Sequence, residues 1–336
     1  MQKMNELIYE FRGELLEDIH YGLIAGMDFS GAARYAVGDI DKMCYLRSCS
    51  KAIQCLPLFM HDFDRKFGFT DEEAAIFAAS HYGQPCHICA LESILKKLGL
   101  TEDILIMKPT YPLDPNEAHR MIAEHMPKRK IYHNCAGKHL GMIVMSLGLG
   151  LSPYDYWKVD GELQVMIKNV IAQLSGFPAD KIVVGVDGCG VPVYALPLKN
   201  CAMAFASLSD PSNIADEHML HAIRRVTELM HKYPYMIEGE GTATTAMLRD
   251  PNILAKEGAE GMYIFALKKE RVSFALKVSD GAHKTVTHVI QGILNQIHYD
   301  NPSLMEELYK LVPRDVYNDN DLKVGYIQDA FELRKM

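Results

Sequence analysis

No run of apolar residues in this chain is long enough to cross a bilayer. The longest uncharged apolar stretch, residues 140–152, falls short of the roughly 20 residues a spanning helix needs and carries several glycines. The opening Met1-Gln2-Lys3-Met4-Asn5-Glu6-Leu7 lacks the hydrophobic centre of a secretory leader, so a soluble protein of the cytoplasm is expected. Positive charge is not in excess either. The formal charge is −8 and the basic residues are scattered, which argues against nucleic acid as the main partner. Cysteine is sparse, eight in 336 residues, too few for a dense disulfide framework. In a reducing compartment such cysteines are thiols, metal ligands or redox groups. Internal repeats, low-complexity tracts and Pro/Ser-rich linkers are also missing. With 49% hydrophobic residues, the chain has ample material for a buried core.

What is present reads as strands at both ends around a helical middle. Residues 7–12 and 19–24 have strand character and are joined by the polar segment 13–18. Helical patterning follows at 71–79, 86–98, 115–125, 138–147 and 161–174, with acids at 71–73 suiting the first turn of a helix. Residues 181–186 form a compact β-branched run, expected to be a buried strand. A long amphipathic helix is expected over 213–232. Residues 262–267 and 272–278 then read as a hairpin, followed by a helix over 282–297. Both ends sharing one sheet gives an α+β fold, not a doubly wound parallel sheet. We expect one catalytic domain over 5–333. Its sheet-containing part covers about 5–45 and 180–333, and its mainly helical part about 48–178.

Three groups of residues carry chemistry. The first is Ser48-Cys49-Ser50-Lys51, where a helical turn puts hydroxyl and amine on one face, as a serine hydrolase with a lysine base requires. About one Ser-x-x-Lys match is expected by chance, and Ser93…Lys96 is a second. Ser48 is preceded by strand-like or turn residues and followed by a helix, where backbone N–H groups are free to hold an oxyanion. Ser93 sits mid-helix with Lys96 on its solvated face. For Lys51 to act as base its pKa must fall from about 10.4 towards 7, at a cost of roughly 4 kcal/mol that burial and a nearby cation can supply.

The second group is Cys135-Ala136-Gly137-Lys138-His139 with the distant Asp187-Gly188-Cys189-Gly190. Two thiols in glycine-containing turns could converge on zinc, although their spacing matches no zinc finger and buried structural cysteines are the plainer alternative. The third is a set of polar glycine-rich turns: Ser80 to Gln84, Glu238 to Thr242, and Lys256 to Gly261. Such turns suit a small polar substrate, and each alone is more often an ordinary turn. Cys86 and Cys89 have redox spacing without a strand leading into them. Cys44, Cys55 and Cys201 read as small buried hydrophobes.

Taken together, these motifs resemble the rhizobial-type (class 3) L-asparaginases, or asparaginase II family. The matching residues are Arg47-Ser48-x-x-Lys51, Ala79-Ser80-His81, His133-Asn134-Cys135-x-Gly137-Lys138-His139, Asp187-Gly188-Cys189-x-x-Pro192, Lys256-x-Gly258-Ala259-Glu260-Gly261 and Asp280-Gly281-Ala282. The closing strand matches at residues 324–327. The resemblance implies a fold similar to serine β-lactamases and glutaminases, and hydrolysis of L-asparagine to L-aspartate and ammonia. Ser48 would be the nucleophile and Lys51 its base, with Ser80 and Lys256 as a second Ser–Lys pair relaying protons. It further implies substrate contacts from Arg47, His139, Gly188 and Glu260. One zinc per subunit would be held by Cys135, Lys138 and Cys189, with Asp187 just outside, and would assist substrate binding. A homodimer without nucleic-acid or membrane partners is implied too. The chain departs from the family pattern at Gln84 (Glu expected), Ala136 (Ser expected) and Thr242 (Arg expected). The rivals are the same chemistry on glutamine or a β-aspartyl compound, and a non-enzymatic zinc or redox sensor built on Cys135, Cys189, Cys86 and Cys89.

Overall fold

In the computed structural model, which describes residues 4–336, the two chain ends meet in one antiparallel sheet. Its strands run in the order β10 (Asp315–Tyr317), β11 (Lys323–Asp329), β1 (Asn5–Arg12), β2 (Leu15–Asp28), β9 (Val272–Val278), β8 (Met262–Leu267) and β7 (Ile253–Glu257). β3 (Ala33–Val37) also pairs with β2, and β12 (Arg334–Lys335) pairs with β3. A second, small sheet holds β4 (Met43–Tyr45), β6 (Pro192–Pro197) and β5 (Val183–Val186) in that order. The longer helices are α1 (Pro85–Leu98), α2 (Ala136–Gly148), α3 (Glu162–Ser175), α4 (Leu198–Ser209), α5 (Glu217–Lys232), α6 (His283–Gln296) and α7 (Pro302–Leu311). The segment between β4 and β5 contains helices and loops but no named strand, so the fold is α+β.

The central strands are apolar at nearly every position because both faces of the sheet are covered. Side chains alternate across a strand. Along β8, Ile264 and Ala266 enter one core with α4 and the helical lobe. Tyr263, Phe265 and Leu267 enter a second core with α6 and α7. In that second core Phe265 stacks on Phe274 with ring centroids 5.2 Å apart, each burial worth about 2–3 kcal/mol. The same alternation decides the direction of a polar residue. On β7, Leu254 belongs to the lobe-side core and Ala255 to the other, so Lys256 is aimed at the helical lobe.

Three sequence expectations change. The second strand is not confined to 19–24 but runs from Leu15 to Asp28, joined to β1 by a two-residue turn in which Gly13 has φ +58°. Its first four residues, Leu15 to Asp18, are all exposed and sit among acids, with none of the alternation that marks a half-buried strand. The run at 181–186 is not a buried strand. β5 lies on the edge of the small sheet with Val183 50% and Val186 66% exposed, because β-branching favours extended backbone and says nothing of what covers it. The helix expected from 213 starts at Glu217, where the Asp216 carboxylate accepts from the N–H groups of His218 and Met219. Among the described residues no helix is long and apolar enough to cross a membrane.

Candidate active site

Three separated stretches of chain bring two serines to the wall of one cavity of about 320 Å³ and two lysine amines within hydrogen-bonding distance of one of them. The first leaves the small sheet at β4, where Leu46 N–H still donates to the Tyr194 carbonyl. Arg47 then adopts a left-handed conformation, φ +49°, and turns the chain into a 3-10 turn and the short helix Lys51–Gln54. A non-glycine residue in that region costs on the order of 1 kcal/mol or more. The Arg47 Nε contact with Asp187 Oδ1 at 3.0 Å and the Ser50 hydroxyl donating to the Arg47 carbonyl at 2.7 Å hold it there. Ser48 follows directly and lines the cavity.

Ser80 enters from the helical lobe. Its N–H donates to the Ile237 carbonyl and that of Tyr82 to the Glu238 carbonyl, both at 2.7 Å, so segments 80–82 and 237–238 are clipped together. Lys256 comes from β7 on the opposite side. Gly258, just beyond it, permits that approach: a Cβ there would meet Cys49 Sγ at 3.0 Å and the Leu46 carbonyl at 3.1 Å.

The amines converge on Ser80. Its Oγ lies 2.9 Å from Lys51 Nζ and 2.9 Å from Lys256 Nζ, the latter contact spanning 176 residues of sequence. Lys51 Nζ also donates to the Asn134 carbonyl at 3.3 Å. Among the described residues its hydrogen bonds thus run to Ser80 and Asn134 and not to Ser48, although both serines share the cavity wall. Lys51 is 1% exposed. Burial, reinforced by the cations of Lys138 and Lys256, lowers its pKa to about 8 against the partial opposing pull of Cys135. By contrast Ser93 sits mid-helix in α1 and bonds Glu73, while Lys96 is exposed, so the second Ser-x-x-Lys match is surface structure.

Beside Asn134 lies the thiol cluster. Cys135 starts α2, Lys138 is one turn on, and Cys189 sits in the tight turn where Asp187 N–H donates to the Val191 carbonyl. Lys138 Nζ reaches Cys189 Sγ at 3.0 Å, and Cys189 Sγ lies 3.6 Å from Asp187 Oδ2. A hydrogen bond from Cys189 holds Cys135 well below the usual thiol range and pushes Cys189 up, so one proton serves the pair. Burial alone would lower Lys138, yet the two sulfurs keep it raised. Gly137 seats α2 against the segment leading to Ser80, since a Cβ there would lie 2.1 Å from the Ile76 carbonyl. Among the described residues no group of three or more His, Cys, Asp or Glu could hold a metal. The trio here includes a lysine. Two buried sulfurs, one favoured as thiolate, with an amine alongside form a donor set that suits zinc, provided Lys138 sheds its proton.

The remaining expected residues lie off the cavity wall. Arg47 pairs with Asp187 and reaches towards the exposed Glu260 at 4.0 Å. His139 is fully buried with Nδ1 2.8 Å from the Tyr156 hydroxyl, its Nε2 has no partner, and burial holds its pKa well down. Gly188 faces open space. Cys86 and Cys89 sit in the first turns of α1, half-buried and exposed.

Of the residues that line the cavity, sequence reasoning included Tyr82, Asn134, Glu238 and Glu257 only as members of turns or motifs, with no role of their own, and left out Leu113 and His283. The turn at 238–242 was visible as polar and glycine-rich, but nothing in it distinguished Glu238 from Glu240. Two departures from the family pattern also find places. The Gln84 amide donates to Asp114 Oδ2 at 2.8 Å and its oxygen accepts from Glu240 N–H at 3.0 Å, tying loop 82–84 to the 238–240 turn. Thr242 caps the helix Ala243–Leu248 by accepting from Thr245 N–H.

A family model described as L-asparaginase II matches residues 8–328. A comparison with curated proteins returned no match. Among solved structures, the chain is similar to a class C beta lactamase from Rhodobacter sphaeroides. That pair shares 14% identity and a TM-score of 0.42, covering 81% of this chain and 95% of the other. It is also similar to simvastatin synthase from Aspergillus terreus, at 10% identity and a TM-score of 0.41, covering 86% and 93%. A beta-lactamase from Sulfitobacter gives 15% identity and a TM-score of 0.41, covering 82% and 92%.

Proposed function

The chain belongs to the L-asparaginase II family, and from that premise we propose that it hydrolyses L-asparagine to L-aspartate and ammonia through an acyl-enzyme on Ser48. The observation that carries this reading is the pair of 2.9 Å contacts from Lys51 and Lys256 to Ser80, at the wall of the cavity that Ser48 shares. Lysine works as a base only when neutral, and the depression of Lys51 to about 8 favours that form. Ser48 Oγ attacks the side-chain amide carbon while its proton passes to Lys51. Backbone N–H groups at the start of the helix hold the oxyanion. The departing nitrogen takes a proton relayed through Ser80 and Lys256 and leaves as ammonia. The same relay then deprotonates a water, which attacks the acyl carbon and frees aspartate and Ser48.

Cys135, Lys138 and Cys189 would hold zinc, with Asp187 beside them. The ion would supply a Lewis-acidic contact that helps bind substrate. In this reading the enzyme is a homodimer with one zinc per subunit. Its eight free cysteines suit a reducing, cytoplasmic setting.

A second assignment within the same chemistry makes Ser80 the nucleophile, because both lysines contact it directly. Ammonia release across asparagine, glutamine and β-aspartyl amides, with and without added zinc, decides the substrate. Under the proposal Ser48→Ala loses turnover by at least a thousandfold and forms no acyl adduct by mass spectrometry, while Ser80→Ala still acylates slowly. An adduct on Ser80 in the Ser48→Ala protein transfers the role. Wild-type turnover by both variants ends the Ser–Lys reading.

A further inference from the structure

The cavity that holds the two serines is also acidic. Glu238 and Glu257 both line it, and the Glu238 side chain is only 2% exposed. Its Oε2 has no hydrogen-bond partner, an arrangement that costs stability in a finished structure unless a ligand completes it. Lys256 Nζ is 3.9 Å from the other oxygen, beyond hydrogen-bonding range, and is committed to Ser80 Oγ and the Glu257 carbonyl. The Glu257 carboxylate is engaged by His283 Nδ1 at 2.5 Å. Among the described residues no arginine or lysine side chain lines the cavity, and His283 is the one lining group able to carry positive charge. The Tyr82 phenol is kept protonated by burial and the same two carboxylates.

We propose that Glu238, supported by Glu257, is the subsite for a positively charged amine on the substrate, so that the enzyme acts on amides carrying a free ammonium group near the scissile carbonyl. The inference rests on the amidase reading and names the substrate class for it. An ammonium brings two or three N–H donors to a pocket that offers an unsatisfied carboxylate oxygen. Burial and the neighbouring Glu257 charge push Glu238 up to about 7 even though the Lys256 ammonium lies 3.9 Å from its other oxygen. A substrate carboxylate at this wall would instead meet two like charges. The geometry thus reads the amine end of an amino-acid amide.

Two truncated forms of asparagine separate the charges. 3-Aminopropanamide keeps the amine and the amide without the carboxylate; succinamate keeps the carboxylate and the amide without the amine. Hydrolysis by the wild type, and calorimetric binding to the Ser48→Ala protein, are measured for both. The expected result is a preference for 3-aminopropanamide on the order of tenfold or more in either readout, the scale of a charge-assisted hydrogen bond. Glu238→Gln should narrow that preference by raising KM for the amine-bearing amide. A thermal melt confirms that this variant is folded. Equal or better binding of succinamate overturns the subsite whether or not turnover occurs. An amine preference in binding with no hydrolysis of any amide keeps the subsite and refutes the amidase reading instead.

Discussion

Replacing Lys51 by methionine should make this protein more stable at neutral pH while abolishing its activity. Lys51 is 1% exposed, and its pKa falls from 10.5 to about 8, with burial as the first cause. At about 1.4 kcal/mol per pH unit, holding that ammonium in the fold costs roughly 3 kcal/mol. Methionine fills nearly the same volume without charge. It gives up the hydrogen bonds to Ser80 Oγ and the Asn134 carbonyl, worth about 1 kcal/mol each or less. The net gain is about 1–2 kcal/mol, or a few degrees in Tm. The sign reverses with pH in a defined window. Because the native pKa is depressed, the unfolded chain binds the extra proton between about 8 and 10.5, so the wild type gains stability as pH rises through that range. The cost is fully present below pH 8. Thermal melts of both proteins at pH 7 and pH 10 test this: Lys51→Met should melt higher at pH 7, and the gap should close or invert at pH 10. A lower Tm at pH 7, or a difference independent of pH, would show that Lys51 is not a strained base.

The same depression shapes catalysis: kcat/KM should rise with pH through a single limb near 8 as Lys51 loses its proton, and a flat profile from pH 7 to 9 removes it as the base. At Gln84, substitution by Glu places a carboxylate against Asp114 where an amide now donates at 2.8 Å. We expect Gln84→Glu to lose about 1–3 kcal/mol of stability and to raise KM by loosening the 238–240 turn, both visible in melts and initial rates. An unchanged Tm would mean that this bridge does not hold the turn.

Much of the fold was legible because its strongest signals are local. The hairpin expected at 262–267 and 272–278 matches β8 and β9 residue for residue, since burial on both faces leaves apolar runs broken only by Ser273 and Lys277 in β9. The placement of Ser48 between a strand and a helix was legible too. The contact between Lys51 and Ser80 was not, because it depends on how the helical lobe seats on the sheet. Nor was Glu238: a buried carboxylate with an orphaned oxygen has the same letter as Glu240 two residues on. Exposure misled in the same way at β5, where valine marks an extended backbone at an edge that solvent reaches.

The long reach of Lys256 to Ser80 also sets when the protein can become active. β1 is completed on one side by β11, with Tyr9 opposite Gln328, and the lysine arrives on a strand near the far edge of the same sheet. Non-local pairings of this kind form late, after the cost of closing long loops has been met. A nascent chain that has folded only its first 250 residues contains Ser48, Lys51 and Ser80 but not Lys256. Its hydroxyls remain without the second amine until the rest of the chain, beyond residue 250, is made and docked. Amidase activity during refolding should therefore lag the recovery of helical signal, and serve as a reporter for closure of the sheet.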